Sequence, residues 1–350
     1  MKNDFRKNGS MRIRFRTPEE RSEIIQILEQ RGFRIEESVK SLTGIHPRDT
    51  RTFDINLKFK TCDYGIRPFI GAAMMSGGVR FYSADEFFRI AGLGFRTVPR
   101  FPVFHVPHNG REFPEELMTS VCIPEKDFLR YHEKMRDTDI VQAVPEAYRG
   151  GDMCQTFSVS RLLCDVERFI GPEEIMENYG MGFCYTKAYD GTVIKKVNEE
   201  LKLKTVKYYR EHHARMDRIM ERHPRVLLLD LHSYSDEIIP PGFLREGEAT
   251  PDLCIGAETA FTPSKLLQIT QKRFADAGFS TAVNYPYSGC YIPNAVLSGE
   301  DVCDCVGLML EINKRKYCDP EGRPIPEKLA GIAEIIQKMI ADCVSLDSMD

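Results

Sequence analysis

The apolar positions of this chain fall into runs that break off into polar residues, and two of these runs share a design. Arg225-Val-Leu-Leu-Leu-Asp-Leu-His-Ser-Tyr-Ser-Asp236 predicts a buried strand that reaches His232 where a sheet would end. Phe101-Pro-Val-Phe-His-Val-Pro-His108 predicts a second, which leads into the polar turn Asn109-Gly110-Arg111-Glu112. Between and beyond them strand and helix patterns alternate. A helix is expected from about 137, a strand over Thr156–Asp165, and a long charged helix over about 193–222. Helix 264–276, strand Ser280–Asn284, strand Cys303–Asn313 and an amphipathic helix 326–344 complete the series. Strands interleaved with helices predict an α/β fold, a mixed or parallel sheet covered on both faces.

Residues 1–95 follow another pattern. Thr17-Pro-Glu-Glu opens a helix over about 18–31 with an N-cap Thr, Pro at the first helical position and Glu at the third. A β-like stretch from Thr52, a Gly-rich stretch over 71–78, a short strand Val79–Tyr82 and a helix opened by Ser83-Ala-Asp-Glu follow. This predicts a small α+β domain, 1–95, ahead of a larger domain, 96–350. Its Gly-Gly turn lacks the strand–turn–helix setting of a dinucleotide site.

Composition narrows the function. With 42 % apolar and 29 % charged residues in 350, the chain is an ordinary globular sequence, and its net charge of −4 gives no reason to expect nucleic acid as a partner. No run reaches the ~18 apolar residues of a membrane span. The opening Met1-Lys-Asn-Asp-Phe-Arg-Lys is polar, and a signal peptide is not expected. The 11 cysteines form no Cys-x-x-Cys pair and several sit inside apolar runs, which points to a reducing, cytoplasmic setting.

Candidate chemistry lies where apolar runs stop. An imidazole at the carboxyl edge of a sheet stands where open α/β sheets place their ligands, and His108 and His232 together suggest a metal site. Arg161 and Arg168 bracket the run Leu162–Val166 and offer guanidinium forks suited to carboxylates, or to pairing with Asp165 and Glu167. Glu311 is a lone carboxylate in a run that is otherwise apolar. Burying it unpaired costs several kcal/mol, about what an active-site base or a buried ion pair with Arg would resolve.

Pro107-His-Asn-Gly110, Asp137-Thr-Asp139, Ser160-Arg-Leu-Leu-Cys-Asp-Val-Glu-Arg168, Asp230-Leu-His-Ser233, Pro286-Tyr-Ser-Gly289 and Leu310-Glu-Ile-Asn313 occur in this order. In this the chain, from about Phe101 to Asp319, resembles the N-formylglutamate amidohydrolases. The resemblance implies a three-layer α/β/α zinc hydrolase core, similar to the zinc carboxypeptidases, that cleaves a small N-acyl amino acid. His108 and His232 would bind Zn2+, with Asp139 as third ligand and Asp137 or Glu112 as its rivals. Glu311 would act as general base, Arg161 would polarise the amide, and Arg168 would hold a substrate carboxylate. Asn109, Ser233, Tyr287 and Tyr291 would contact the substrate. A carboxypeptidase or poly-glutamyl hydrolase, or a binding protein without turnover, are the alternatives. The chain departs from the family at Glu167, where Asn is usual. A carboxylate beside the substrate-binding Arg would weaken an acidic substrate by about 1 kcal/mol or more. Ile140 in place of Trp, and Ser288-Gly-Cys290 in place of Lys-Gly-Gly, also alter the pocket.

Overall fold

The computed structural model describes residues 99–171, 173–223, 225–298 and 302–344, and before them 10–14, 18–30, 34–35, 52–56, 61–64 and 80–83. The chain divides into two units, Met1–Val98 and Pro99–Asp350. In the first, strands β1 (Ser10–Arg14), β2 (Arg34–Ile35), β3 (Thr52–Asn56), β4 (Thr61–Tyr64) and β5 (Arg80–Ser83) form a sheet in the order β2-β4-β3-β1-β5. The helix Pro18–Gln30 starts at its proline and buries Ile24, Ile27 and Leu28. The Gly-rich stretch 71–78 and the helix expected after Ser83 lie outside the described residues.

The second unit is built on six strands: β6 (Phe101–Val106), β7 (Cys154–Thr156), β8 (Arg225–Tyr234), β9 (Leu253–Gly256), β10 (Thr281–Val283) and β11 (Asp304–Asn313), ordered β10-β9-β11-β8-β6-β7. All neighbours are parallel except β9 and β11. The fold is thus α/β with a mostly parallel mixed sheet.

Alternation along the central strands assigns their two faces. Leu227, Leu229 and Leu231 of β8 join Phe104 and Val106 of β6 in one core, packed with Leu329, Ile332 and Ile336 of the helix Pro326–Cys343 and with Leu266 and Phe274 of the helix Ser264–Asp276. Val226 and Leu228 face the other way with Val103, against Met216, Ile219 and Met220 of the helix Glu199–Arg222. On this second face the apolar pattern turns polar toward the carboxyl end of the sheet. Val226 and Leu228 give way to Asp230 and His232, and Val103 to His105.

Two expected elements differ. The segment expected as a strand to Asp165 is a strand only to Thr156, after which the chain coils. Arg161 Nη2 lies 3.0 Å from Asp165 Oδ2, whereas an extended strand would hold the two backbones about 13 Å apart. The helix expected from 137 is a 3-10 turn, Ile140–Ala143, and an α-helix, Glu125–Met135, precedes it. Its buried Phe128, Tyr131, His132 and Met135 keep helical spacing; the charged residues around them mask that period in the sequence.

Candidate active site

Parallel strands β6, β8 and β11 bring the candidate residues to one edge. Glu311 pairs in register with His232, and His105 with Asp230, so these four share one face. His108 follows two residues beyond the end of β6, in a turn that needs Gly110: a Cβ there would lie 2.5 Å from the backbone of Phe157 and Ser158. That close approach lets the Glu112 N–H donate to the Ser158 carbonyl at 2.8 Å and the Ser160 N–H to the Glu112 carbonyl at 3.0 Å, which brings the Arg161–Arg168 loop to the sheet edge.

The two imidazoles meet through their Nδ1 atoms, 3.1 Å apart. Asp137 Oδ2 lies 3.1 Å from Nδ1 of His232 and 3.7 Å from Nδ1 of His108. Zinc–N and zinc–O bonds of about 2.0–2.2 Å in a tetrahedron set donor atoms about 3.4 Å apart, so this triangle has the dimensions of a ligand set. The Nε2 atoms are occupied elsewhere. His108 Nε2 contacts Asp165 Oδ1 at 2.9 Å, and His232 Nε2 contacts Asp230 Oδ1 at 3.0 Å and Glu167 Oε1 at 3.1 Å. Buried groups that could hold a metal ion also include His108, Glu167 and His232, and His105, Glu167 and Asp230. Burial works against a charged His232, but Glu167, Asp230 and Asp137 push its pKa well above the usual histidine range. The carboxylates therefore call for positive charge at this spot, as a proton or as a metal.

Backbone ties explain why Asp137 faces the imidazoles. Its N–H donates to the His108 carbonyl at 2.9 Å, and the buried Lys314 ammonium and the Tyr317 hydroxyl donate to the carbonyls on either side, Arg136 at 2.7 Å and Thr138 at 3.1 Å. Ser233, expected on substrate, directs its hydroxyl to Asp137 Oδ1 at 3.4 Å. Asp139 is not brought to the histidines. Its backbone is left-handed, with φ of 51°, and its carboxylate accepts from Arg111 at 2.9 Å and Arg136 at 3.3 Å. Glu112 is exposed and accepts from the Ser158 hydroxyl.

Asp165 is the hub of the loop. Beside His108 it accepts from Arg161 and from the Tyr185 hydroxyl, both at 3.0 Å, and Arg168 Nε stands 3.9 Å away. Burial alone would raise its carboxyl, yet His108, Arg161 and Arg168 hold it well below the usual carboxylate range. Among the described residues the buried Nε atoms of both arginines and the Asn109 Oδ1 find no hydrogen-bond partner. Glu167 is expected, from its place in the sequence, beside Arg168, but its contacts lie elsewhere. Its carboxylate turns inward to the imidazoles of His105, His108 and His232.

Glu311 is 8 % exposed, and among the described residues no hydrogen bond reaches its carboxylate. Burial, reinforced by Asp137 and Glu167 against the pull of His232 and Arg161, raises it to about 8. Tyr287 packs its ring between Tyr234 and Phe243, and Glu311 and both loop arginines act on its hydroxyl. Tyr291 turns away: its ring stacks on His105 and its hydroxyl meets His213 Nδ1 at 3.1 Å. Sequence reasoning missed His105, Asp230 and Tyr185; of the two carboxylates it offered as alternative partners of the arginines, Asp165 pairs with Arg161 while Glu167 turns to the imidazoles. The signal for His105 and Asp230 was the alternation Asp230–His232 and Val103–His105 on one strand face; Tyr185 had none.

A family model described as FGase, N-formylglutamate amidohydrolase, matches residues 102–318. Among solved structures, the N-formylglutamate amidohydrolase from Ralstonia eutropha JMP134 is similar over 70 % of this chain and 94 % of its own, with a TM-score of 0.56 at 19 % identity. A bacteriophage poly-gamma-glutamate hydrolase aligns over 36 % of this chain and 56 % of its own, with a TM-score of 0.23 at 13 % identity. Nothing matches among curated protein sequences.

Proposed function

The chain belongs to the N-formylglutamate amidohydrolase family, hydrolases of amide C–N bonds, and we propose that it cleaves a small N-acyl amino acid with the help of one zinc ion. The observation that carries this reading is the triangle of His108 Nδ1, His232 Nδ1 and Asp137 Oδ2. Two imidazoles and one carboxylate are a hydrolytic zinc donor set that leaves a position free, and the ion lowers the pKa of a water and polarises a carbonyl. We assign the third ligand to Asp137 rather than Glu167 because carboxylates already engage both Nε2 atoms, the outer support that ligating histidines require.

The remaining residues divide the work. Glu311, in register beside His232 and with no hydrogen bond from any described residue, accepts the proton of the attacking water and passes it to the leaving amine. A dication beside it favours the carboxylate form that a base needs. Arg168 has one long contact to Asp165 and presents its guanidinium fork to the substrate carboxylate. Arg161, anchored on Asp165 and the Met135 carbonyl, directs positive charge at the amide oxygen. Asn109 and Tyr287 line the pocket. The core is a three-layer α/β/α arrangement preceded by a small α+β domain, and the setting is cytoplasmic. None of the described helices is long and apolar enough to cross a membrane.

Purified protein, stripped and reloaded with zinc, is assayed on a panel of N-acyl amino acids that includes N-formyl-L-glutamate. Zinc-dependent release of a free amino acid is expected. Failure to bind zinc, or no turnover of any panel member by the loaded protein, overturns the reading.

A further inference from the structure

Behind the two imidazoles lies a buried histidine pair, His105 and His212, for which the reaction as described has no use. His105 Nδ1 is 2.9 Å from Asp230 Oδ1 and 3.5 Å from Glu167 Oε1. Its Nε2 meets Nε2 of His212, from the helix Glu199–Arg222, at 2.8 Å. Tyr291 covers the ring in a stack at 4.1 Å and donates its backbone N–H to Asp230 Oδ2 at 3.0 Å. His105 and Asp230 are 0 % and 2 % exposed.

We propose that His105 is a positioning residue for the metal centre: it holds Asp230 so that this carboxylate takes the Nε2 proton of His232 and leaves the His232 Nδ1 lone pair for the metal. The inference rests on the zinc reading above. Its logic is that of donors and acceptors. An ionised carboxylate only accepts, so both imidazoles that touch Asp230 Oδ1 must donate to it, His232 through Nε2–H and His105 through Nδ1–H. This holds whichever way the proton lies between His105 and His212. With Nε2 of His232 protonated, the neutral ring has its lone pair on Nδ1, the atom that faces Asp137 and His108. Without the His105 donor, Asp230 loses one of the contacts that fix its oxygens. His232 then becomes freer to carry its proton on Nδ1, where it blocks the site. Outer contacts of this kind are worth 10–100-fold in metal affinity. The sheet builds the contact directly, because His105 and Asp230 are register partners on β6 and β8.

The test compares His105→Phe, which keeps the ring stack on Tyr291, with His105→Asn, whose amide N–H stands where Nδ1–H was. Zinc affinity is measured by competition with a chromophoric chelator, together with zinc stoichiometry and melting temperature. Expected are one equivalent of zinc in the native chain, a 10–100-fold weaker affinity in His105→Phe, and recovery of most of it in His105→Asn. A purely structural role predicts a lower melting temperature with unchanged zinc affinity in the folded protein, and that result overturns the proposal. So does His105→Asn binding zinc no better than His105→Phe. Two equivalents of zinc falling to one in His105→Phe would make His105 a ligand, and the proposal would also be wrong. If His105→Phe does not fold, His105→Leu against His105→Asn reads the same contact: equal zinc affinity in that pair overturns the proposal, and weaker affinity in His105→Leu alone supports it. A native chain that binds no zinc removes the zinc reading itself, a result distinct from all of these.

Discussion

The edge of the sheet and the loop from Phe157 to Phe169 place functional groups by different means. At the edge, His105, Asp230, His232 and Glu311 are set by strand register, through backbone ladders that any sequence with the right alternation would form. In the loop, Arg161, Asp165, Glu167 and Arg168 have no ladder to hold them and are fixed by one another and by the imidazoles they touch. Rigid backbone can carry a buried group with few bonds of its own, as Glu311 shows. Irregular backbone needs its charges satisfied to have a shape at all. Substitutions at the edge should therefore change chemistry and spare the fold, and those in the loop should do the reverse.

The largest effect is expected at the edge. Glu311→Gln should keep zinc and fold while kcat falls about 10²–10⁴-fold, and His232→Ala should lose zinc along with activity. Zinc content, melting temperature and kcat of the two variants separate these roles. A Glu311→Gln protein with near-normal kcat ends the general-base assignment. Next comes the loop: Asp165→Asn leaves Arg161 and Arg168 without their buried counter-charge and should cost about 3–5 kcal/mol in denaturant unfolding. Little loss of stability there would erase the contrast between the two regions.

Arg168 tests where the contrast blurs, because it belongs to the loop yet has most of its donors free. Arg168→Met should raise KM about 10–100-fold for a carboxylated amide, with a smaller change in kcat, and should leave an uncharged amide analogue unaffected. Equal effects on both substrates would make it a structural cation. The last effect falls on stability alone and concerns His132, whose Nδ1 holds the Ser160 hydroxyl at 2.9 Å at the root of the loop. Burial, with help from Arg136 and Arg111, lowers its pKa from 6.5 to about 4. In that window the unfolded chain takes up a proton that the native state refuses, so stability falls as pH drops from 6.5 toward 4. The loss attributable to this group is on the order of 3 kcal/mol. His132→Gln should lack this component; a wild-type and variant difference that stays constant from pH 7 to pH 4.5 would count against it.

The same contrast marks what could be read from sequence. The strands that lead to His108 and carry His232, the buried Glu311, and helices 264–276 and 326–344 were all legible, because apolar periodicity is local and each element repeats it several times. Reading Thr156–Asp165 as a strand failed beyond Thr156, because the apolar residues that follow are buried by coiling rather than by pairing. The resemblance put Asp139 ahead of Asp137 as metal ligand, yet the structure brings Asp137 and not Asp139 to the histidines. A backbone hydrogen bond to His108 turns one inward, and a left-handed residue with two arginines turns the other out. The sequence by itself determined the alternation that sends Asp230, His232 and Glu311 to one end of one sheet face. Only the tertiary structure decided which carboxylate meets which nitrogen, since those contacts join segments far apart in the chain and leave no periodic trace in any of them.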